Sequence, residues 1–237
     1  MGFKKRKFAY KHPIFGRTKA IKNEHPYKNS AYYLWWEFLR RNEDYKNCCL
    51  KNGKGKLSSL YTDFGNIFDA DFKTWWQRDN RGANLFAEEV PLECKLISEI
   101  PEHPNRDVLY LQIPLSLPKR FLTQQFSKIL KNHHKGRAGI RTNLQSTAKY
   151  PITGHIDISA LQKCLEVYDM KINEGLSYWE IAQKCKVARP TQFIRDTDTK
   201  YEITNKKRVL TSTAERLFRR AEKIINGTSL GKFPLMK

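Results

Sequence analysis

Four cations near the C-terminus have the types and the spacing to hold a polyanion. Arg216, Arg219, Arg220 and Lys223 recur at three- and four-residue intervals within TSTAERLFRRAEKIIN, residues 211–226, which puts them on one side of a helix. At 100° per residue, Ala214, Leu217, Phe218, Ala221, Ile224 and Ile225 fall within about 120° on the opposite side. One face packs and the other is cationic. A recognition helix needs that division, because its inner face must hold it to its neighbours while its outer face meets phosphates and base edges. Arginine is the informative residue type, since its planar fork binds guanine O6 and N7 or two phosphate oxygens together. The plainer alternative is a solvated basic helix that completes a bundle.

Such a helix must be positioned by others. Over residues 157–172, Ile158, Leu161, Leu165, Tyr168 and Met170 or Ile172 share a helical face, with Asp157 or Ser159 as cap. After a break at Gly175, Ser177 and Glu180 stand in capping-box spacing before Trp179, Ile181, Ala182 and Cys185, which predicts a short second helix. Ser212 and Glu215 repeat that spacing, and Gly227 lies past the expected end of a third helix over Thr211–Asn226. The pattern is a helix-turn-helix with one difficulty. KVARPTQFIRDTDTKYEITNKKRVL separates the second and third helices, where a tight turn is usual. Either the recognition helix lies near Thr191–Asp196 or an insertion intervenes; Arg189, Arg195, Lys206, Lys207 and Arg208 keep this surface basic in both cases.

Charge extends the same theme. The chain has 237 residues, with 44 Lys and Arg against 24 Asp and Glu, a formal net charge of +20. The excess is uneven: residues 1–28, 101–156 and 157–237 are strongly basic, whereas 29–100 are near neutral. A polyanionic partner accounts for three separate basic regions at once. Residues 1–28 have no regular period and read as a mobile basic arm, in which Lys4, Lys5, Arg6 and Lys7 would neutralise phosphates. Between the halves, Lys131, Lys135, Arg137, Arg141 and Lys149 crowd a segment without an acid. There Gly136 and Gly139 would let the backbone approach a phosphate, so the segment reads as a phosphate-contacting linker.

Other elements read as scaffold. Tyr32, Trp35, Trp36 and Leu39 sit at helical spacing behind Asn29 or Ser30 as cap, and Phe72, Trp75 and Trp76 follow Asp69 or Asp71. Aromatic residues at this spacing form a buried face far more often than a base-stacking platform. DVLYLQIP, 107–114, reads as a strand with 92–98 as its partner, and Ser116 and Pro118 precede a helix in which Phe121, Leu122, Phe126, Ile129 and Leu130 share a face.

Several function classes are disfavoured. No apolar run reaches the roughly 18 residues of a membrane span, and no signal peptide is recognisable. An anionic membrane surface is disfavoured because no basic amphipathic helix is expected to carry exposed Trp, Phe or Leu on its other side. Five scattered cysteines without ligand spacing predict neither disulfides nor a zinc site, and a burial role for Cys48 or Cys49. Nucleotide-binding, protease and hydrolase signatures are absent. His133 and His134 beside Arg137 and Arg141 suit a nuclease only if distant carboxylates supply a metal site, and Asp63, Asp69 and Asp71 have no telling spacing. No catalytic residues, metal or cofactor are expected.

YYLWWEFLRRNEDY, DFKTWWQRDNRGANLFAE, IPLSLPKRFL, HHKGRAG, ALQKCLEVYDMKINEGLSYWEIAQ and AERLFRRAEKIINGTSLGKFP together resemble a group of uncharacterised bacterial proteins of phages and other mobile elements. The C-terminal part is similar to that group's transcriptional regulator-like helix-turn-helix domain. The resemblance covers most of the chain after Asn29 and implies DNA binding and transcriptional regulation in the bacterial cytoplasm or nucleoid. It supplies no functional residues, and the long insertion departs from its compact pattern.

The expected architecture is therefore mainly α: a basic arm at 1–28, an aromatic-rich helical domain with a small β element at 29–115, a helix and basic linker at 116–150, and a helix-turn-helix domain at 151–237. The expected partner is double-stranded DNA. The alternatives are RNA, which exposed Trp35, Trp36, Trp75 or Trp76 would stack upon, and an acidic protein surface, as in a phage or mobile-element protein that modulates a host factor. Pairing as a homodimer is common for the motif, although no dimerising heptad is visible.

Overall fold

The computed structural model describes residues 7–16, 25–88, 109–133 and 146–234, and these are mainly helical. Ser30 accepts the Tyr33 N–H and starts α1 (Ala31–Arg40). In α1, Tyr32, Trp35, Trp36 and Leu39 are buried as their spacing predicts, but so are Leu34 and Phe38. A helix apolar nearly all round is a central one. The others wrap it: α2 (Glu43–Leu50), α3 (Ser58–Phe64), α4 (Phe72–Gln77) and α5 (Arg81–Phe86). Asp71 caps α4 through the Thr74 N–H, and Phe72, Trp75 and Trp76 turn inward. Trp35 lies 5.2 Å from Phe233 and 5.4 Å from Phe86 by ring centroids, and Trp76 stacks on Phe86 at 5.8 Å. The Trp75 indole N–H reaches the Phe64 carbonyl at 2.7 Å, whereas the indole N–H groups of Trp35 and Trp36 have no partner among the described residues. Cys48 and Cys49 are both buried here, not one of them.

Two expectations change in this region. β1 (Lys7–Phe8) pairs antiparallel with β2 (Ala87–Glu88), and Phe8, Tyr10 and Phe15 pack against the aromatic cluster, so residues 7–16 are laid down on the core and are no loose arm. The small β element is therefore built by the arm. Residues 109–114 form no strand, and the expected partner, 92–98, lies outside the described residues. Alternation at Leu109, Leu111 and Ile113 stabilises a strand only where a neighbour completes its ladder of N–H and C=O groups.

The C-terminal elements are α7 (Ile158–Glu174), α8 (Tyr178–Lys184) and α9 (Lys200–Ser229). They share the aromatic cluster through Leu161, Cys164, Leu165, Ala221, Ile224 and Ile225, and they build a second cluster of Val167, Ile181, Ala182, Cys185, Leu210 and Ala214. Arg41 binds α7 to α1: its Nε and Nη2 donate to Asp169 at 2.6 and 2.5 Å, and its Nη1 donates to Glu37 at 2.6 Å. Packing thus joins residues 29–88 of the expected 29–115 domain and 151–234 of the expected 151–237 domain into one compact unit, and assigns residues 109–133, with 109–115 of the first domain, to another.

In that other unit, α6 (Lys119–His133) is amphipathic. Phe121, Phe126 and Leu130 are exposed on its apolar side, and Lys119, Arg120, Lys128 and Lys131 are its cations, with no acid. The expectation that no basic amphipathic helix exposes Phe or Leu is corrected here. None of residues 109–133 is buried.

Candidate nucleic-acid interface

The three-helix region is set by local signals. Asp157 accepts the Ala160 N–H at 3.0 Å to start α7, and Gly175 ends it with φ +65°, a left-handed conformation that glycine adopts without strain. Ser177 opens α8 two residues on, and its N–H and hydroxyl both donate to Glu180 at 3.0 and 2.5 Å. Those bonds, the hydroxyl's first, hold the Glu180 carboxyl below its ordinary value. The α7–turn–α8 segment is therefore tight, as the sequence predicts.

The third helix differs from expectation. It begins at Lys200, eleven residues early, because Thr199 and Glu202 form the capping box that Ser212 and Glu215 were expected to form. The Thr199 N–H and hydroxyl both donate to Glu202 at 2.8 Å, which lowers the Glu202 pKa. Ser212 lies mid-helix and donates to the Val209 carbonyl at 3.0 Å. Gly227 likewise lies inside α9. At 30 residues, α9 is about 45 Å long.

Residues 185–199, between α8 and α9, form a clamp. Gln183 and Ile194 exchange side-chain and backbone hydrogen bonds at 3.0 and 3.1 Å. Lys206 donates to both oxygens of Asp198 at 2.6 and 2.7 Å, and this bond, with the Arg195 N–H, depresses the Asp198 pKa. Lys207 places its ammonium 4.2 Å from the Trp179 ring centroid. The first part of the expected insertion, 186–199, is thus a folded strap, and the rest of it is the start of α9. Thr191–Asp196 holds no α-helix, only part of a 3₁₀ turn at Pro190–Gln192, so it is not a recognition helix. Burial pushes the Cys185 thiol beneath this strap up to about 11.

The expected contact residues now separate. Arg208, Arg216, Arg219 and Lys223 are exposed along one side of α9, and Arg189 and Arg195 are exposed on the strap. Arg219 also pairs with Glu215. Lys206 and Lys207 are turned to Asp198 and Trp179, and Lys149 pairs with Asp63 at 2.5 Å. Arg220 is less open than its neighbours: it is half-buried, its Nε is buried, and its charge bears on Cys164, opposing the effect of burial on that thiol. Charge alone does not tell an arginine at the edge of a packed face from one beyond it. Lys131 is exposed on α6. Lys4, Lys5, Arg6, Lys135, Arg137, Arg141 and His134 lie outside the described residues, and of Lys7 only the backbone is described.

The same exposed side of α9 carries Tyr201, Thr204 and Asn205, which the sequence pattern did not single out. A signal was present: Thr199-x-x-Glu202 has capping-box spacing, and the apolar stripe of Ile203, Leu210, Ala214, Leu217 and Ala221 starts well before Thr211. Trp35, Trp36, Trp75 and Trp76 are at most 5% exposed, so none offers a ring to an unpaired base. Among the described residues, no cluster of three or more His, Cys, Asp or Glu is placed to hold a metal ion, and no helix is long and apolar enough to cross a membrane. No protein family, no curated protein and no solved structure matches this chain.

Proposed function

We propose that the chain binds duplex DNA through α7, α8 and α9. The observation that carries this reading is the division of α9: Arg208, Arg216, Arg219 and Lys223 are exposed on one side, while Leu210, Ala214, Ala221, Ile224 and Ile225 are buried on the other. Arg208 to Lys223 spans about 22 Å of helix, enough to follow several phosphates, and Arg189 and Arg195 on the strap add charge nearby. The tight α7–α8 turn and the bonds of the clamp tie this face to the packed unit beneath it.

A mobility-shift titration on random duplex, single-stranded DNA and RNA at several salt concentrations tests the reading. Preference for duplex, with log K falling linearly against log salt, is the expected result. Equal and weak binding to all three sinks it. One observation favours a second reading, that of a protein partner: the exposed apolar side of α6, with Phe121, Phe126 and Leu130. That reading predicts retention of a partner independent of nuclease treatment.

A further inference from the structure

The two halves of α9 are not equally embedded. Between Ala214 and Thr228, Ala214, Ala221, Ile224, Ile225, Gly227 and Thr228 are buried, and Asn42, the N-cap of α2, donates to the Ile225 carbonyl at 3.3 Å. Between Lys200 and Thr213, Leu210 alone is buried. This first half is gripped along one side by α8 and the strap. Its other side carries Tyr201, 76% exposed, with Thr204, Asn205, Arg208 and Ser212, also exposed. At 100° per residue these five lie within an arc of about 100°. No acid of the first half falls in that arc, since Glu202 projects elsewhere and is bound to Thr199.

A major groove about 12 Å wide takes a helix of 10–12 Å diameter only where neighbouring helices leave its flanks clear. The second half of α9 buries six residues and the first half only Leu210, so the first half leaves its flanks the clearer. We infer that residues 200–213 of α9 enter the major groove and that Asn205 and Arg208 read base edges there. Asn offers the donor and acceptor that match adenine N7 and N6, and Arg the fork that matches guanine O6 and N7. Three residues apart, they are offset by about 4.5 Å along the helix, comparable with the 3.4 Å step between base pairs, so each addresses its own pair. Tyr201 and Thr204 supply hydroxyls for the flanking phosphates, and Arg216 and Arg219 lie further along the axis, where the helix leaves the groove and the backbone rises beside it. The ties from Lys206 to Asp198 and from Lys207 to Trp179 fix the rotation of this half about its axis, which decides which side chains face the bases.

This inference rests on the duplex-binding reading and goes one step further, to base-specific contacts. The test is selection of preferred sites from a random duplex pool by the full chain and by its Asn205→Ala, Arg208→Ala and Arg216→Ala variants. Circular dichroism and thermal unfolding check that all three keep their fold, as exposed positions should. The wild-type chain should enrich a motif. Arg208→Ala should lose a guanine preference and Asn205→Ala an adenine preference at a neighbouring position, each with about tenfold or greater loss on the wild-type site. Arg216→Ala should weaken all sequences evenly and leave the motif intact. Duplex binding without any motif, a motif unchanged in both first-half variants, or a motif altered only by Arg216→Ala would overturn the base-reading role and leave duplex binding standing. Failure of the wild-type chain to bind duplex removes both.

Discussion

The aromatic cluster around α1 and the small cluster beneath α8 solve opposite problems. The first surrounds one helix with Trp, Phe and Tyr rings on almost every side, so its residues are consumed by packing. The second is built from Val167, Ile181, Ala182, Cys185, Leu210 and Ala214, a modest set that holds three helices by one side each and leaves the other side of α9 uncovered. Large buried area stabilises a scaffold; a thin core with a one-sided grip leaves a surface for a ligand. The difference also separates two kinds of aromatic residue. Trp35 is fully buried and structural, whereas Tyr201 is 76% exposed on a helix whose apolar side is already satisfied.

Trp35→Ala should have the largest effect on the aromatic cluster. Removing a fully buried indole should cost about 3–5 kcal/mol, read by denaturant unfolding, and should abolish DNA binding only through loss of fold. Gly82→Ala attacks the same cluster from the backbone: its Cβ would lie 2.2 Å from the Trp76 ring, and overpacking should cost about 1–3 kcal/mol. On the other side, replacing Arg208, Arg216, Arg219 and Lys223 together with Ala should leave the melting transition near wild type and flatten the salt slope by about 0.9 for each phosphate no longer neutralised. An unchanged slope would remove α9 from the interface. Thr199→Ala should cost about 1 kcal/mol, the value of an N-cap, and should raise amide exchange in residues 200–206 without touching the aromatic cluster.

The smallest effect is a pH dependence. Glu180, Asp198 and Glu202 all have folded-state pKa values below their ordinary ones of 4.5, 3.8 and 4.5. Their contribution is therefore complete above about pH 4.5 and is lost as the pH falls through the depressed folded values. Acidification should loosen the caps of α8 and α9 and the strap, while the aromatic cluster keeps its near-ultraviolet circular dichroism.

Much of this was legible. Ser30, Asp71, Asp157 and the Ser177–Glu180 box each start the helix that their spacing predicts, because a cap is a local hydrogen bond and depends on few residues. The start of α9 was harder to read, since two Ser/Thr-x-x-Glu motifs compete; the apolar stripe from Ile203 favours the first, and burial of Leu210 against α8 settles it. The fate of individual cations was equally hidden. Lys149, Lys206, Lys207 and Arg220 have the same charge as Arg208 and Arg216, and what withdraws them is a partner brought close by the fold: Asp63, Asp198, Trp179 or the α7 side of α9. The β1–β2 pair, two residues on each strand and far apart in sequence, is too short to leave a periodic trace.

Because α7 and α9 contribute side chains to both clusters, neither cluster can come apart while the other stays whole, and unfolding of this unit should be a single cooperative event. Fraying is a different matter. Amides in the second half of α9 should exchange with solvent only on global opening, as slowly as those of α1, whereas amides from Lys200 to about Leu210 should exchange through local opening against the strap. A ligand held by that free half would extend protection toward Lys200 and leave the rates at the Ile225 end unchanged, so the length of the protected stretch would itself report occupancy.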